Sequence, residues 1–204
     1  GIGLAMPRRR LRMIRRTMAA SKHLALYSGS FDPITLGHLD VLKRARGVFD
    51  EIVVAIGRNP EKEALFSIAE RVAMAKSLVE ELLREEPGGA AVRVETYQGL
   101  TVDFAREIGA TALLRGIRHA SDLASECQLA ITNRQVAGVE TVFLVTGEAF
   151  AYTSSSLIKQ IAALGGDLDR LASMVPPMVL DALRGKRRDP NNPLGRLARN
   201  APEE

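Results

Sequence analysis

The residues best suited to chemistry form the segment YSGSFDPITLGH (residues 27–38), between the first apolar run and the first helical pattern. Ser30 follows Gly29, whose missing side chain lets backbone N–H groups approach a phosphate. Gly37 and His38 place an imidazole in the first turn of the next helix, where unpaired N–H groups and the helix dipole favour an anion. The segment therefore predicts a nucleotide-phosphate site. It differs from a P-loop, because Gly-x-x-x-x-Gly-Lys-Ser/Thr is absent.

Two arginines flank a glycine in Arg115-Gly116-Ile117-Arg118, which we expect in a turn just past the fourth strand. Gly116 would keep this turn tight while the two guanidinium groups fan out, a geometry that suits bidentate binding of phosphates. Asp122 and Glu126 follow four residues apart, so they would share one face of the next helix. Taken alone, the turn is as often plain surface, and the carboxylate pair is more often a solvated helix face.

Three consecutive hydroxyl residues, Ser154-Ser155-Ser156, precede an apolar helical segment that begins at Leu157. The simplest interpretation is a helix N-cap, for which serine is well suited. Three hydroxyls beside the unpaired N–H groups of a helix start could also hold a polyphosphate. The residues by themselves leave both interpretations open.

The segment around His38 resembles the nucleotidyltransferase superfamily, whose His/Thr-x-Gly-His signature is here Thr35-Leu36-Gly37-His38. The resemblance implies transfer of a nucleotidyl group from ATP or CTP to a phosphate, with release of pyrophosphate. It implies that His38 stabilises the pentacoordinate transition state and that Ser30 positions the phosphates. In the superfamily, a Pro-x-Lys in the loop after the second strand contacts the phosphate of the acceptor and the transferred phosphate, and Lys62 matches this lysine. A loop lysine without that context would indicate only solvated surface.

The segment from Arg115 to Glu126 narrows the resemblance, because it matches the Arg-Gly-Leu-Arg-x-x-x-Asp-x-x-x-Glu pattern of the phosphopantetheine adenylyltransferase family. This implies adenylyl transfer from ATP to 4′-phosphopantetheine, the penultimate step of coenzyme A biosynthesis, by direct in-line attack without a covalent intermediate. Arg115 and Thr101 would bind the acceptor with Ser30 and Lys62, although Thr101 departs from the usual Leu or Met. The residues implied to bind ATP are Ser30, Phe31, His38, Gly116, Ile117, Arg118, Glu126, Phe150, Ala151, Tyr152, Thr153, Ser154, Ser155 and Ser156.

The resemblance also implies a metal ion and an assembly. No carboxylate cluster in the sequence could hold Mg²⁺ unaided, so we expect the ATP phosphates and water to hold it. We expect a homohexamer in the cytoplasm, with neither nucleic acid nor a membrane as partner. The single cysteine, Cys127, excludes an internal disulfide, fits a reducing compartment and is expected to be a packed core thiol. No apolar run approaches the roughly 20 residues of a membrane span.

The spacing of apolar residues predicts the elements that position these groups. Apolar runs at 23–27, 51–56, 92–97, 111–114 and 141–145 predict buried strands, and helical patterns follow them. Ser67-x-x-Glu70 is a capping box and predicts a helix to about Glu85. This alternation predicts an α/β fold, a Rossmann-like doubly wound five-stranded parallel sheet with helices on both faces. Ligands bind such sheets beyond the carboxyl ends of the strands, where every motif above falls.

Charge divides the chain into a core and two basic ends. Of the 28 basic and 24 acidic residues, 13 basic and three acidic ones lie in residues 1–22 and 184–204. The remainder is acidic, which disfavours a nucleic-acid-binding domain, since such a domain carries its basic patch on the fold. We predict a disordered basic leader or tag (1–22), one nucleotidyltransferase domain (23–185) and a disordered tail (186–204).

Two alternatives remain open from the sequence. One is a superfamily member that acts on nicotinate mononucleotide or a polyol phosphate, although those enzymes usually carry His in place of Thr35 and lack the segment from Arg115 to Glu126. The other is a nucleotide-sensing or nucleic-acid-binding module that uses the basic ends.

Overall fold

Strands and helices alternate along the chain, for which a computed structural model describes residues 22–57, 64–191 and 194. The strands are β1 (Leu24–Gly29), β2 (Glu51–Ile56), β3 (Ala91–Thr96), β4 (Ala112–Ile117) and β5 (Glu140–Val145). The helices are α1 (Leu36–Ala45), α2 (Ile68–Glu85), α3 (Thr101–Glu107), α4 (Ala120–Ala137), α5 (Ser155–Ala163) and α6 (Pro177–Arg188), with 3-10 turns at Glu148–Phe150 and Leu168–Ser173. Most of the predicted leader, residues 1–21, lies outside the described residues.

The strands form one parallel sheet in the order β3-β2-β1-β4-β5. This order confirms the predicted doubly wound sheet. The chain first builds outward from β1 to β2 and β3, then returns to place β4 and β5 on the other side of β1. A sheet of this kind opens a crevice where the order reverses, at the carboxyl ends of β1 and β4.

Apolar side chains pack on both faces of the sheet, as the nearly continuous apolar strands predict. The larger cluster packs α1, α2, α5 and α6 on one face, with Leu42, Leu78, Ile158 and Leu183 buried at its centre. The smaller cluster lies on the other face and centres on α3. The predicted helices on both faces are therefore confirmed, with very different amounts of packing.

Helix α4 leaves much of its apolar surface outside the smaller cluster. Within the described chain, Ala137 is the one residue of α4 that is buried. Cys127 is only partly buried, so the expectation of a packed core thiol is wrong, because α4 meets too little of the sheet to cover it. The exposed apolar residues of α4 are Leu123, Leu129, Ile131 and Val136.

Two helices begin with reciprocal capping boxes. The predicted one is confirmed at α2, where the Ser67 hydroxyl accepts the Glu70 N–H and the Glu70 carboxylate accepts the Ser67 N–H. At α1 the same arrangement joins Thr35 and His38, with an imidazole in place of the usual Glu or Gln. Sequence reasoning missed this second box, because it looks for an acid or amide three residues after the cap.

Two predicted boundaries are wrong. Arg115, Gly116 and Ile117 belong to β4 and pair with β5 over its full length, so they do not form the predicted turn. Arginine and glycine are weak strand formers, but pairing between neighbouring strands overrides that preference. The predicted tail also begins too early, because α6 continues to Arg188 and Leu194 is 4% exposed within the larger cluster.

No described helix has both the length and the apolar character needed to cross a lipid bilayer.

Candidate active site

A polar cavity of about 460 Å³ opens at the carboxyl ends of β1 and β4, where the sheet topology predicts a ligand. Most of the predicted site residues come together there. The predicted residues that line it are Ser30, Phe31, His38, Thr101, Arg115, Gly116, Arg118, Glu126, Thr153, Ser154, Ser155 and Ser156.

The remaining predicted residues stand apart from this lining. Ile117 is buried in the sheet and Tyr152 is 83% exposed. Phe150 and Ala151 end the 3-10 turn that leads to the serines. Lys62 lies outside the described residues, so its role remains a prediction.

The capping box of α1 fixes the orientation of the His38 ring. The Thr35 backbone N–H donates to His38 Nδ1 at 3.0 Å, and the Thr35 hydroxyl lies 2.9 Å from the same nitrogen. A backbone N–H can only donate, so Nδ1 must be an acceptor and carries no proton. The proton of the neutral ring therefore sits on Nε2.

The surroundings of His38 keep its ring neutral. Burial, and to a smaller extent the charges of Arg118 and Arg115, together lower the pKa of the imidazole to about 4. Phe31 packs edge-on against the ring, with 5.0 Å between the ring centroids. Phe31 itself has a φ of 44°, a left-handed conformation that is uncommon for an aromatic residue and often found at functional loops.

The two arginines of the site are each paired with a carboxylate on α4. Arg115 donates to both oxygens of Glu126, from Nε at 2.8 Å and from Nη2 at 2.5 Å. Arg118 donates to both oxygens of Asp122, at 2.9 and 3.1 Å. The two carboxylates are therefore not a solvated helix face, since each has a side chain only 18% exposed and a bidentate partner.

These ion pairs shift the protonation equilibria of their members. The hydrogen bonds that Arg115 donates to Glu126 raise the pKa of Arg115 despite its burial. Partial burial works to raise the pKa of Asp122, but the hydrogen bond and charge of Arg118 outweigh it, so this pKa is lowered. Arg115 and Asp122 are consequently held in their charged forms at neutral pH.

Gly116 brings β4 close to α1. A side chain at this position would place Cβ 2.8 Å from Val41 Cγ2, closer than carbon atoms approach in folded proteins. Arg115 and Arg118 therefore emerge beside the start of α1 because glycine lies between them. The glycine is required, as predicted, but for packing between a strand and a helix rather than for a turn.

The serine segment joins α5 to the loop after β1. Ser154 is the N-cap of α5, as its simplest interpretation predicts, with its hydroxyl 3.5 Å from the Leu157 N–H. The Ser155 hydroxyl donates to the carbonyl of Pro33 at 2.8 Å. Thr153 is buried, and its carbonyl accepts from Arg118 at 3.0 Å. Hydrogen bonds thus join the segment both to the loop after β1 and to Arg118 after β4.

Asp32 is a structural residue of the site that sequence reasoning missed. Its carboxylate is 3% exposed and accepts the backbone N–H groups of Leu65 and Phe66, both at 2.9 Å. Lys159 of α5 donates to it at 2.8 Å. Nothing local in the sequence indicated this pairing, because the partners lie more than 30 residues away and meet only through tertiary packing.

Thr101, an expected acceptor-binding residue, meets a tyrosine at the far end of the cavity. The hydroxyls of Tyr97 and Thr101 are 2.8 Å apart, and the Tyr97 ring stacks on Phe104. The same ring occupies the space that a side chain at Gly57 would need. Sequence reasoning singled out Thr101 but not Tyr97, which lines the same wall.

No group of three or more His, Cys, Asp or Glu side chains in the described ranges could hold a metal ion. The carboxylates of the cavity, Asp122 and Glu126, are both occupied by arginines.

Sequence comparisons identify close relatives. The family model described as cytidylyltransferase-like matches residues 26–161. A phosphopantetheine adenylyltransferase of Rhodopirellula baltica is 46% identical over 167 residues, which are 81% of this chain and 89% of the relative. One of Desulforudis audaxviator is 47% identical over 164 residues, 80% of this chain and 94% of the relative.

Comparison of structures supports the fold. The bifunctional NMN adenylyltransferase/ADP ribose pyrophosphatase of Francisella tularensis superposes with a TM-score of 0.62 at 13% identity, covering 88% of this chain and 53% of that one. At this identity the likeness concerns the fold, and the choice of substrate has to come from the closer relatives and the site.

Proposed function

The chain belongs to the phosphopantetheine adenylyltransferase family, and from this premise we propose that it transfers the adenylyl group of ATP to 4′-phosphopantetheine, giving dephospho-coenzyme A and pyrophosphate. The observation that carries the proposal is the convergence of neutral His38 with Arg115 and Arg118 on one cavity at the start of α1. Relatives of this name match at 43–47% identity over most of the chain, which supports phosphopantetheine as the acceptor.

The transfer proceeds by direct in-line attack. A phosphate oxygen of the acceptor attacks the α-phosphorus of ATP, and the bond to the bridging oxygen of the β-phosphate breaks as pyrophosphate leaves. The nucleophile is already an anion, so the protein has no proton to remove from it. Catalysis then consists of positioning the two phosphates and stabilising charge in the transition state.

His38 stabilises the transition state as a neutral donor. Because Nδ1 accepts from Thr35, the ring presents Nε2–H as its remaining donor, directed to an oxygen of the α-phosphate. A neutral ring donates without attracting the ground-state phosphates as strongly as a cation would. The capping box holds the ring in place before the substrate arrives, so little reorganisation accompanies the reaction.

The two arginines divide the substrates between them. Arg115 holds the phosphate end of the acceptor, with Thr101 further along the same wall, and Arg118 holds the phosphates of ATP beside the serine segment. Each guanidinium already has its planar fork aligned by a carboxylate. Glu126 also contacts the nucleotide, and Ser30 and Lys62 position the acceptor and the transferred phosphate.

Mg²⁺ enters this scheme as part of the ATP substrate. The paired states of Asp122 and Glu126 fit an ion that is held by phosphate oxygens and water rather than by a protein cage. When bound, it would neutralise charge on the phosphates.

The apolar surface of α4 supports an assembly of several copies. Leu123, Leu129, Ile131 and Val136 are exposed on one helix, and such surface commonly marks an interface between protein chains. We take the assembly to be the homohexamer that the family resemblance implies, working in the cytoplasm. Light scattering of the purified chain tests the mass, and Ile131→Asp with Val136→Asp should reduce it.

An acceptor panel tests the proposed reaction. Pyrophosphate release from ATP is measured with 4′-phosphopantetheine, nicotinate mononucleotide or glycerol phosphate, and without acceptor. We expect release only with phosphopantetheine. Turnover with another acceptor instead would favour that member of the superfamily, and ATP binding without turnover on any acceptor would favour a nucleotide sensor.

A further inference from the structure

A buried arginine lies behind the phosphate loop without lining the cavity. Arg71 of α2 is 3% exposed, and its Nη1 donates to the carbonyl of Ser30 at 2.7 Å and to that of Gly57 at 3.3 Å. The Gly57 N–H in turn donates to the carbonyl of Gly29 at 3.0 Å. One guanidinium therefore joins the residues that follow β1 and β2.

The Arg71 side chain is incompletely satisfied. Its Nε is buried and has no hydrogen-bond partner among the described residues. A buried donor without a partner destabilises a fold by about 1–3 kcal/mol, so such a group calls for a physical reason.

A second buried arginine, whose Nε does have a partner, offers a comparison. Arg46, which is 4% exposed, donates from Nε to the carbonyl of Ala90 at 3.1 Å and from Nη2 to the carbonyl of Gly88. Arg46 lies at the amino ends of the strands, away from the cavity at their carboxyl ends. Arg71 and Arg46 are thus similarly buried, and each donates to two backbone carbonyls. The carbonyls bound by Arg71 belong to Ser30 and Gly57, which line the cavity, whereas those bound by Arg46 belong to residues ahead of β3.

We propose that Arg71 is a positioning residue for the adenylyl transfer, acting through the carbonyl of Ser30. It holds the backbone of Ser30 at a fixed distance from the end of β2, so that the Ser30 side chain and N–H face the reacting phosphates. The inference rests on the proposed function, because it assigns Arg71 a part in that reaction.

The arrangement of contacts predicts which kinetic constant responds. Arg118, Thr153 and the serine segment hold the ATP side of the cavity, and none of the hydrogen bonds described for them involves Arg71. Loss of Arg71 should therefore weaken ATP binding only slightly, through Ser30 alone, while Ser30 drifts from its position. Displacements on the order of 1 Å can lower a rate about 100-fold, so the effect belongs in kcat.

The test compares Arg71→Met and Arg71→Lys with Arg46→Met and Arg46→Lys in the full chain. Pyrophosphate release gives kcat and the KM values for ATP and phosphopantetheine, calorimetry gives the Kd for ATP, and thermal unfolding gives Tm. We expect both Met variants to lose Tm, but only Arg71→Met to lose kcat, by roughly 10- to 100-fold, with the Kd for ATP within about twofold. Arg71→Lys should recover part of kcat, because one ammonium can still reach the Ser30 carbonyl.

The control pair makes the result decisive. If Arg71→Met and Arg46→Met lose kcat equally, or if kcat per folded molecule stays near the starting value in both Arg71 variants, the proposal is overturned. Should Arg71→Met not fold, Arg71→Lys against Arg46→Lys at low temperature gives the same comparison. Failure of the unaltered chain to turn over phosphopantetheine would count against the proposed function instead.

Discussion

The two ends of the parallel strands use charged residues in opposite ways. At the amino ends of the strands, charges serve the fold: the Asp50 carboxylate accepts the His23 N–H at 2.7 Å, and Arg46 joins two carbonyls ahead of β3. At the carboxyl ends, Arg115 and Arg118 converge on a cavity beside a neutral imidazole. Charged groups gathered around a cavity stabilise a ligand at some expense to the unliganded fold. Substitutions of the charged residues at the carboxyl ends should therefore affect catalysis more than stability. Substitutions of the charged residues at the amino ends should affect stability more than catalysis.

The largest effect is expected for His38→Ala. Removing a preorganised donor to the developing charge should lower turnover about 100- to 1000-fold, while ATP still binds through Arg118 and the serine segment. Pyrophosphate release and calorimetric titration with ATP measure the two quantities.

The matched control for His38→Ala is Glu70→Ala. Both residues close a capping box from the third helical position, so each variant should lose about 1 kcal/mol of unfolding free energy or less. Turnover of Glu70→Ala should stay near that of the unaltered chain. Near-normal turnover of His38→Ala would remove its assigned role.

Arg118→Met should raise the KM for ATP on the order of 10- to 100-fold. Hydrogen bonds to charged groups contribute roughly 1.5–3 kcal/mol each, and this variant also leaves Asp122 without its partner. Initial rates at varied ATP concentration give the value.

Arg93→Met is the corresponding change away from the cavity. Arg93 also pairs with two carboxylates, those of Glu51 and Glu95, but its side chain is 40% exposed. Exposed pairs contribute about 0–1 kcal/mol, so Tm should change little and the KM for ATP not at all. An equal rise of KM in both variants would contradict the distinction between charged residues at the cavity and those away from it.

Gly116→Ala should reduce the unfolding free energy by about 1–3 kcal/mol, because the new methyl group would meet Val41 at 2.8 Å. Val41→Ala in the same chain should restore part of that loss by making room. The control is Gly47, at the amino ends of the strands, where an added Cβ would lie 3.5 Å from the nearest atom, the Arg44 carbonyl oxygen. Gly47→Ala should therefore change the unfolding free energy by less than about 0.5 kcal/mol. Urea unfolding of the three variants checks these values.

The smallest effect on turnover is expected for a change of pH. With a folded pKa of about 4, His38 should stay neutral from pH 8 down to about pH 5, and turnover should show no step from its protonation in that range. Below the ordinary histidine pKa of about 6.5, the unfolded chain binds a proton that the folded chain does not, so stability should fall as pH falls from about 6.5 to 4. Imidazole proton resonances, assigned with His38→Gln, report the titration; a midpoint near 6.5 would disprove the neutral donor.

The sequence predicted the sheet well, because strand and helix patterns are local and the topology rules are strict. The five strands, their doubly wound parallel arrangement and the Ser67 capping box all follow from periodicity and from right-handed crossovers. The boundaries of β4 failed for a physical reason. Arg115 and Gly116 are poor strand residues in isolation, and only pairing with β5 makes them part of the strand.

The site was predicted in its members but not in its contacts. Spacing placed Asp122 and Glu126 on one helix face, yet nothing local shows that each would pair with an arginine of the preceding strand or its end. The roles of Asp32 and Arg71 depend on partners more than 30 residues away. Such contacts arise from tertiary packing, which a single sequence does not reveal.

The bidentate pair of Arg115 and Glu126 has a consequence for discrimination between anions. An incoming anion competes with a carboxylate that already matches the guanidinium fork, rather than with a loose shell of water. Chloride and simple carboxylates gain too little from a guanidinium that is already paired, whereas a phosphate with two negative charges gains more. The paired arginine thereby favours the more highly charged anion, while Glu126 keeps its fork aligned.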